Sequence, residues 1–455
     1  MKKSSLVISI FAIALLLIIN NRCQMGKAQE KSNYTDLSLY SITGEKLSGI
    51  TTANCYVVSS PGKYKIPMVY GNAIKEGKTN TAAYTSSAKG ENILKNFKDH
   101  KGNGIYTGES GSTEDAEKAI DPWVSKKYAI NKAGIIWQDA KELVTNIAIT
   151  GEAEKKEAKY ITFEVTQESF TQGNAIIAAY DSEGLVAWSY HIWVYDNKLQ
   201  TEEFISRNGV KYNFLTVNLG YCEPNSEKSR NGGALGNYPF YEWGRKDPML
   251  PSNGNAKGKG MGDKIFYGPT GAAQDSSFCL ATFQNLPNIN KIEIKELIQM
   301  PGYYFSGWEE NYINSWGSPV GKECNLENDT EAAKVVKTIY DPSPVGFCVP
   351  PIGAFVGFLK EGTESNKPEN LNLPASFQKF ENSAEFRYSF GGYLIGEEAK
   401  DGYYSPFNYW SATTGQNDGA YSLSISNNQY TQIYVFADSM MYPSYGYAVR
   451  PIVEP

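Results

Sequence analysis

Histidine is nearly missing from this chain: His100 and His191 are the only two in 455 residues. A zinc site needs clustered His and Cys at short spacing, and no such pair occurs, so no metal or other cofactor is expected. A Ser-His-Asp relay would have two imidazoles to draw on, yet no Gly-x-Ser-x-Gly elbow presents a nucleophile. His191 lies among aromatics in a strand-like run and reads as a core residue, while His100 falls in a Lys/Asn/Gly-rich stretch. Excess positive charge is absent as well. The net charge is −6, which offers no basic field for phosphate backbones and excludes nucleic acid as an expected partner. Beyond the N-terminal segment no apolar run is long enough to cross a bilayer; the best, Val345 to Phe358, is broken by Pro350 and Pro351. No fixed-period repeat supports a solenoid or propeller.

Cysteine is sparse, with six in all. Removal of a leader would leave Cys55, Cys222, Cys279, Cys324 and Cys348, an odd number, so at least one thiol stays unpaired or bonds outside the chain. Cys324 and Cys348 are the closest in sequence and the first expectation for a bridge. Single buried thiols in strands are the alternative, and Cys55 between Asn54 and Tyr56 reads as one.

Aromatic residues and turn formers are abundant: 32 Tyr, 20 Phe, 8 Trp, 42 Gly and 21 Pro. Tyr suits half-buried pleated surfaces, and Gly and Pro supply turns, so the composition predicts many short strands. At the N-terminus Lys2 and Lys3 precede an apolar run from Leu6 to Ile19, the length of a signal-peptide core. Gly26-Lys27-Ala28 places small residues where a signal peptidase reads, which predicts cleavage between Ala28 and Gln29. The rival is lipid attachment at Cys23, which would tether the protein to a membrane, although Arg22 is bulky for that processing. Either route exports the chain.

The expected organisation is a signal segment (1–28), a polar lead-in (29–50), a β-sandwich-like domain (51–196), a linker (197–210) and a second domain (211–455). In the first domain, Ala53–Val58 and Tyr64–Tyr70 flank Pro61-Gly62 and predict a hairpin. The stretch Lys75 to Asp121 reads as a long surface excursion. Strands are expected at Gly134–Trp137, Val144–Ile149 and Tyr160–Val165. Asn174–Tyr180 and Leu185–Tyr195 flank Asp181-Ser182-Glu183-Gly184, the strongest hairpin signal in the chain. In its second arm Trp188, Tyr190, Ile192 and Val194 share one face and Ala187, Ser189, His191 and Trp193 the other, so both faces carry bulk. In the second domain helices are expected at Asn328–Lys337 and near Ile352–Lys360, with Asn427-Asn428 as a turn between Tyr-rich strands.

Several segments of the second half form an ordered set: Asn218-Leu219-Gly220, Tyr241-Glu242-Trp243-Gly244-Arg245-Lys246-Asp247-Pro248, Tyr340-Asp341-Pro342-Ser343-Pro344-Val345-Gly346-Phe347, Tyr409-Trp410-Ser411-Ala412-Thr413, Ala420-Tyr421-Ser422-Leu423 and Tyr445-Gly446-Tyr447-Ala448-Val449-Arg450-Pro451-Ile452. The set resembles the Fibrobacter-type major paralogous domain. Upstream, Ala53–Asn72 and Gly173–Asp196 resemble the β-domain that precedes this module in fimbrillin-family surface proteins. The resemblance implies a mainly β chain with an α+β part: a β-sandwich-like domain followed by a C-type-lectin-like domain distantly related to sulfatase-modifying enzymes. It implies a place at the cell surface. Ser343 stands where the family usually has cysteine, which weakens any bridge carried over there and leaves Cys348 without an obvious partner. The sulfatase-modifying relatives use two neighbouring cysteines late in the domain, and nothing after Cys348 is a cysteine, so the resemblance implies the fold without that activity.

Read physically, these motifs are structural. Trp243 and Trp410 are large enough to anchor a core, and Gly244 permits close backbone approach. Arg450, among apolar residues, needs a buried partner, with Asp247 and Asp341 as candidates. Glu223-Pro224-Asn225 echoes a calcium- and sugar-binding triplet but lies at the wrong end of the module. For ligand binding the candidates are Tyr304, Trp308, Asn311 and Trp316, within a cluster that includes Tyr303, Tyr312, Glu309, Glu310 and Asn314. Stacking on sugar C–H faces with amide hydrogen bonds would suit such a loop; packing of the domain is the alternative use of the same rings. The expected function is an exported, non-enzymatic structural or adhesive surface protein of a fimbria-associated kind, with a protein or glycan partner. The rival is an extracellular carbohydrate-active enzyme, which would need two carboxylates flanking a groove.

Overall fold

The structure, a computed structural model, describes residues 33–455 apart from 87–92, 106–120, 152–154, 223–237, 250–265, 275–279, 282–291, 306–313, 318–333, 379–392, 396–397, 401–406, 415–418 and 428–432. The longer strands of the first half are β1 (Cys55–Val58), β2 (Gly62–Pro67), β3 (Ile130–Gln138), β4 (Thr145–Ile149), β5 (Tyr160–Val165), β6 (Gly173–Asp181) and β7 (Val186–Val194). Strands β6 and β7 are the expected hairpin. Asp181 Oδ1 accepts the backbone N–H groups of Glu183 and Leu185, both at 2.9 Å, and Gly184 takes the left-handed conformation at φ +82° that closes the turn. Strand β3 pairs with β6 on the other side, and β1 lies parallel to β7 with His191 opposite Cys55.

The hairpin expected around Pro61-Gly62 does not form. Strand β2 pairs instead with β5, Tyr64 opposite Phe163, in a second sheet that continues to β4. The turn therefore carries the chain from one sheet to another. Val58 and Tyr64 are both buried, so each run had its own sheet to fill. The stretch 75–121 differs as well: Tyr84, Leu94, Phe97 and Ile105 belong to the core, and Asp99 and His100 are buried.

Further strands are β8 (Thr201–Ile205), β9 (Lys211–Leu215) and β10 (Tyr241–Glu242), followed by helix α1 (Ile294–Gln299). Then come β11 (Phe347–Cys348), α2 (Ile352–Val356), β12 (Glu364–Ser365) and α3 (Ala375–Gln378). Last are β13 (Phe407–Thr414), β14 (Ala420–Asn427), β15 (Ile433–Met441), β16 (Gly446–Tyr447) and β17 (Ile452–Val453). One sheet runs β8-β9-β17-β11 and another β12-β15-β14-β13. The fold is mainly β, with few and short helices. The segment 197–210 contains β8, hydrogen-bonded to β9 along its length. Of the helix expected over 328–337, residues 328–333 lie outside the described residues and 334–337 have no helical structure. Helix α2 begins at Ile352 as expected. Among the described residues, no helix is long and apolar enough to cross a membrane.

The chain divides into Met1–Thr35, of which residues 33–35 are described, and Asp36–Pro455, one compact unit. Strand β7 explains why the second unit is undivided. Every residue of β7 is buried. On one face Tyr190 donates to the Val69 carbonyl at 3.0 Å, within the first half. On the other, Trp193 Nε1 donates to the Tyr221 carbonyl at 2.9 Å and His191 Nδ1 lies 3.4 Å from the Tyr241 hydroxyl, both in the second half. The bulk on both faces of β7 is thus covered by segments from either side of residue 200. Phe266–Tyr267 adds to the same sheet, with Tyr267 opposite Gln138 on β3.

Candidate functional site

The motif Tyr241–Pro248 forms the centre of the molecule, and its charged side chains are the strongest candidates for chemistry. Lys246 and Asp247 are each about 3% exposed and form an ion pair, Nζ to Oδ2 at 2.7 Å and to Oδ1 at 2.9 Å. Ser189, fully buried on β7, donates to Asp247 Oδ1 at 2.6 Å and accepts from Lys246 Nζ. The ammonium also sits 4.6 Å from the centre of the Trp188 ring. Burial lowers the Lys246 pKa to about 8, with Asp247 opposing the shift.

A serine beside a lysine of lowered pKa is the arrangement a Ser-Lys nucleophile requires. Here the lysine is tied to a carboxylate, so its lone pair is not free to accept the seryl proton. The adjoining cavity, lined by Gly244, Lys246, Asp247, Leu297 and Tyr340 among others, is about 20 Å³, room for little more than one water. Substrate-sized sites run to several hundred Å³. The constellation therefore positions β7 against the motif, and the cavity beside it among the described residues is too small for an acyl group.

Glu242 and Arg245 make a second sealed pair within hydrogen-bond reach. The guanidinium also donates to the carbonyls of Tyr303 at 2.7 Å and Met300 at 3.2 Å, satisfying the end of α1, and it lies over the Phe305 ring. Glu242 accepts the Phe305 N–H at 3.2 Å. Burial pushes the Glu242 carboxyl up to about 7, against the pull of Arg245. Asp341 is the third buried carboxylate; it accepts the N–H groups of Ser343 at 2.7 Å and Val349 at 2.9 Å and so shapes the Pro342–Gly346 loop. Lys337 closes that loop by donating to the carbonyls of Ser343 and Pro344. None of these three carboxylates faces a groove: each is at most 2% exposed.

Arg450 is buried, but neither Asp247 nor Asp341 is its partner. Its Nε donates to Asn218 Oδ1 at 2.6 Å, and its plane covers Phe377 and Tyr409. Asp247 and Asp341 are already taken by Lys246 and by backbone N–H groups, and the guanidinium turns to neutral partners: the Asn218 amide, the Leu215 carbonyl, the Ser376 hydroxyl and ring faces. His191 is a core residue, donating from Nε2 to Asn174 Oδ1 at 2.8 Å, and burial lowers its pKa to about 3. His100 pairs with Asp181 at 3.1 Å. No sequence signal pointed to that pair, because loop and hairpin turn lie 81 residues apart.

Of the candidate ligand-binding residues, Trp316 is fully buried. It packs on Trp243 with ring centres 5.7 Å apart and donates to the Tyr340 carbonyl at 3.0 Å. Such a ring has no face left for a sugar. Asn314 likewise spends its amide on both backbone groups of Leu94. Tyr304 lies in the short strand Tyr304–Phe305, parallel to Leu280–Ala281. Trp308 and Asn311 lie outside the described residues, as do Glu223-Pro224-Asn225 and Cys324. Cys348 carries a free thiol buried between β17 and the Asp341 loop, so the bridge expected between Cys324 and Cys348 is not made. Cys55 is likewise a free, buried thiol.

Exposed apolar surface gathers elsewhere, at the end of β15. Tyr442 is 68% and Met440 42% exposed. From Tyr442 a chain of ring contacts leads inward through Tyr445 and Tyr447 to buried Trp410, at centroid separations of 5.7, 6.1 and 4.4 Å. This anchored edge is the described surface best suited to contact a partner. Neither a protein-family model, nor a curated protein, nor a solved structure matches the chain.

Proposed function

We propose that the chain is an exported cell-surface protein with a structural or adhesive role, and that it makes its contacts through surface residues of the second half. The motifs that resemble the Fibrobacter-type major paralogous domain support this reading by where they meet. Tyr241 lies opposite Tyr447 in a β-pair, Tyr409 bridges to Ala448, and Trp316 of the buried core packs at a tilt against Trp243. Segments separated by some two hundred residues thus converge on one packed centre, and their charged groups are consumed in holding it. That convergence is the observation that carries the proposal: residues spent on a scaffold are not available for turnover. The C-type-lectin-like topology and membership of the fimbrillin-type surface proteins belong to the same proposal.

Cell fractionation with intact-mass measurement tests it. The expected product sits at the outer surface with a mass beginning at Gln29, or at a lipid-modified Cys23. Recovery of the unprocessed chain from the cytosol overturns the proposal.

A further inference from the structure

Strand β15 is longer than the neighbour that covers it. On one side it pairs with β14 along its whole length, from Asn427 opposite Ile433 to Ala420 opposite Met441. On the other, β12 covers Val435 and Phe436, and the Thr363 carbonyl accepts the Ala437 N–H at 2.8 Å. There the cover ends. A bulge opposite Leu423 separates this covered half from Ser439–Met441, which have no partner strand on that side among the described residues. Side chains alternate along the strand: Val435 and Ala437 are buried, whereas Phe436, Asp438, Met440 and then Tyr442 are progressively open to solvent.

A free edge with exposed apolar side chains is a template for another strand, and natural sheets guard such edges with lysine or an inward-pointing charge. Among the described residues no lysine guards this one. Its charges are carboxylates: Glu364, opposite Phe436, and Asp438, two residues further on, act on each other, and neither has a Lys or Arg partner among the described residues. Partial burial raises the Asp438 pKa, and Glu364 adds to the effect. Two copies of the chain joined at this edge would bring like charges together, and the chain's net charge of −6 adds to that repulsion.

We propose that Ser439–Met441 accepts an added strand from a partner protein. The added segment is extended, places apolar side chains beside Met440 and Tyr442, and sets a lysine or arginine beside Asp438 and Glu364. Main-chain hydrogen bonds to the free edge supply the affinity, and the alternation of side chains supplies the selectivity.

The test uses the full chain and two labelled peptides of about eight residues, a strand's length, one alternating lysine with valine and one alternating glutamate with valine. Fluorescence anisotropy should show the lysine peptide binding at least about tenfold more tightly. Met440→Pro, which removes an edge N–H because Ser439 and Met441 turn theirs toward β14, should abolish that binding, and Asp438→Asn with Glu364→Gln should shrink the preference to under about threefold. Should Met440→Pro fail to fold, hydrogen exchange on the unaltered chain replaces it: the amide of Met440 should slow when the lysine peptide is present. Equal binding of the two peptides, binding with unchanged exchange at Met440, or no binding of either overturns the proposal. Self-association through this edge without peptide also overturns it, in favour of a second copy as occupant.

Discussion

Trp243 and Trp410 hold each other's strands in place. Trp243 Nε1 donates to the Ser411 carbonyl at 2.8 Å, and Trp410 Nε1 donates to the Tyr241 carbonyl at 2.8 Å. Each indole thus satisfies a backbone group two residues or one residue from the other, between motifs far apart in the chain. Both rings are fully buried.

Replacing either indole by phenylalanine keeps most of the apolar volume but orphans a buried carbonyl. Trp243→Phe and Trp410→Phe should each destabilise by about 2–4 kcal/mol, combining lost hydrogen bond and lost volume. Because the two bonds tie the same pair of segments, the double variant should cost less than the sum, a coupling measured by urea denaturation of the four proteins. Strict additivity would contradict the reciprocal clamp.

Lys246 and Asp247 test the structural reading of the Ser189 constellation. Lys246→Met leaves Asp247 buried without its cation, which should cost roughly 3–5 kcal/mol. Lys246→Met with Asp247→Leu removes both charges and should recover a large part of that loss in the same denaturation assay. A double variant no more stable than Lys246→Met would show that the pair does more than balance charge.

Gly71 meets the second half of the chain at close range. Its φ is +39°, and a Cβ there would fall 2.3 Å from the Ile339 carbonyl oxygen. Gly71→Ala should therefore lower stability by at least about 2 kcal/mol, since strain and overlap act together. Gly184→Ala meets nothing within 4 Å and carries only the left-handed strain, so it should cost less.

Acid should destabilise the protein through its histidines. The folded pKa of His191 is about 3, below its ordinary value of 6.5, so the unfolded chain takes up the proton first as pH falls. The stability that neutral His191 contributes is complete above about pH 6.5 and drains away toward pH 3, with a slope approaching 1.4 kcal/mol per unit. Burial lowers His100 too, so it acts in the same direction. Urea midpoints at pH 4 and 6 for the parent and for His191→Gln should differ in slope by nearly that amount; equal slopes would remove His191 from the account.

Cys55 and Cys348 should resist thiol reagents in the native protein and react once denaturant is added, because burial both blocks access and raises each thiol's pKa. Alkylation of either within minutes under native conditions would contradict their placement.

Local chemistry made parts of this fold legible. The Asp181–Gly184 turn announced the β6–β7 hairpin because its side chains bond their own backbone. Strand β5 showed its alternation, and His191 its aromatic surroundings. What was not legible was which segment covers which. Pro61-Gly62 looks the same whether it joins two strands of one sheet or carries the chain between sheets. The polar run at 197–210 hides β8, whose Glu202 caps α3 by accepting the Ala375 and Ser376 N–H groups. The aromatic cluster around Trp316 reads as a binding loop or as a core with equal ease, since the rings are the same and burial alone separates the two. Arg450 satisfied its need for a partner with Asn218, a choice that depends on tertiary position and not on charge.

Strand β17 lies between β9 and β11, pairing Ile452 with Phe214 on one side and Cys348 on the other. Synthesis delivers those residues after everything they bind together. A nascent chain must accordingly keep that sheet open until translation of this stretch is over. Late zippering by Ile452 thus makes closure of this sheet a late folding event that joins residues distant in sequence, a kinetic property written into topology more than into any single contact.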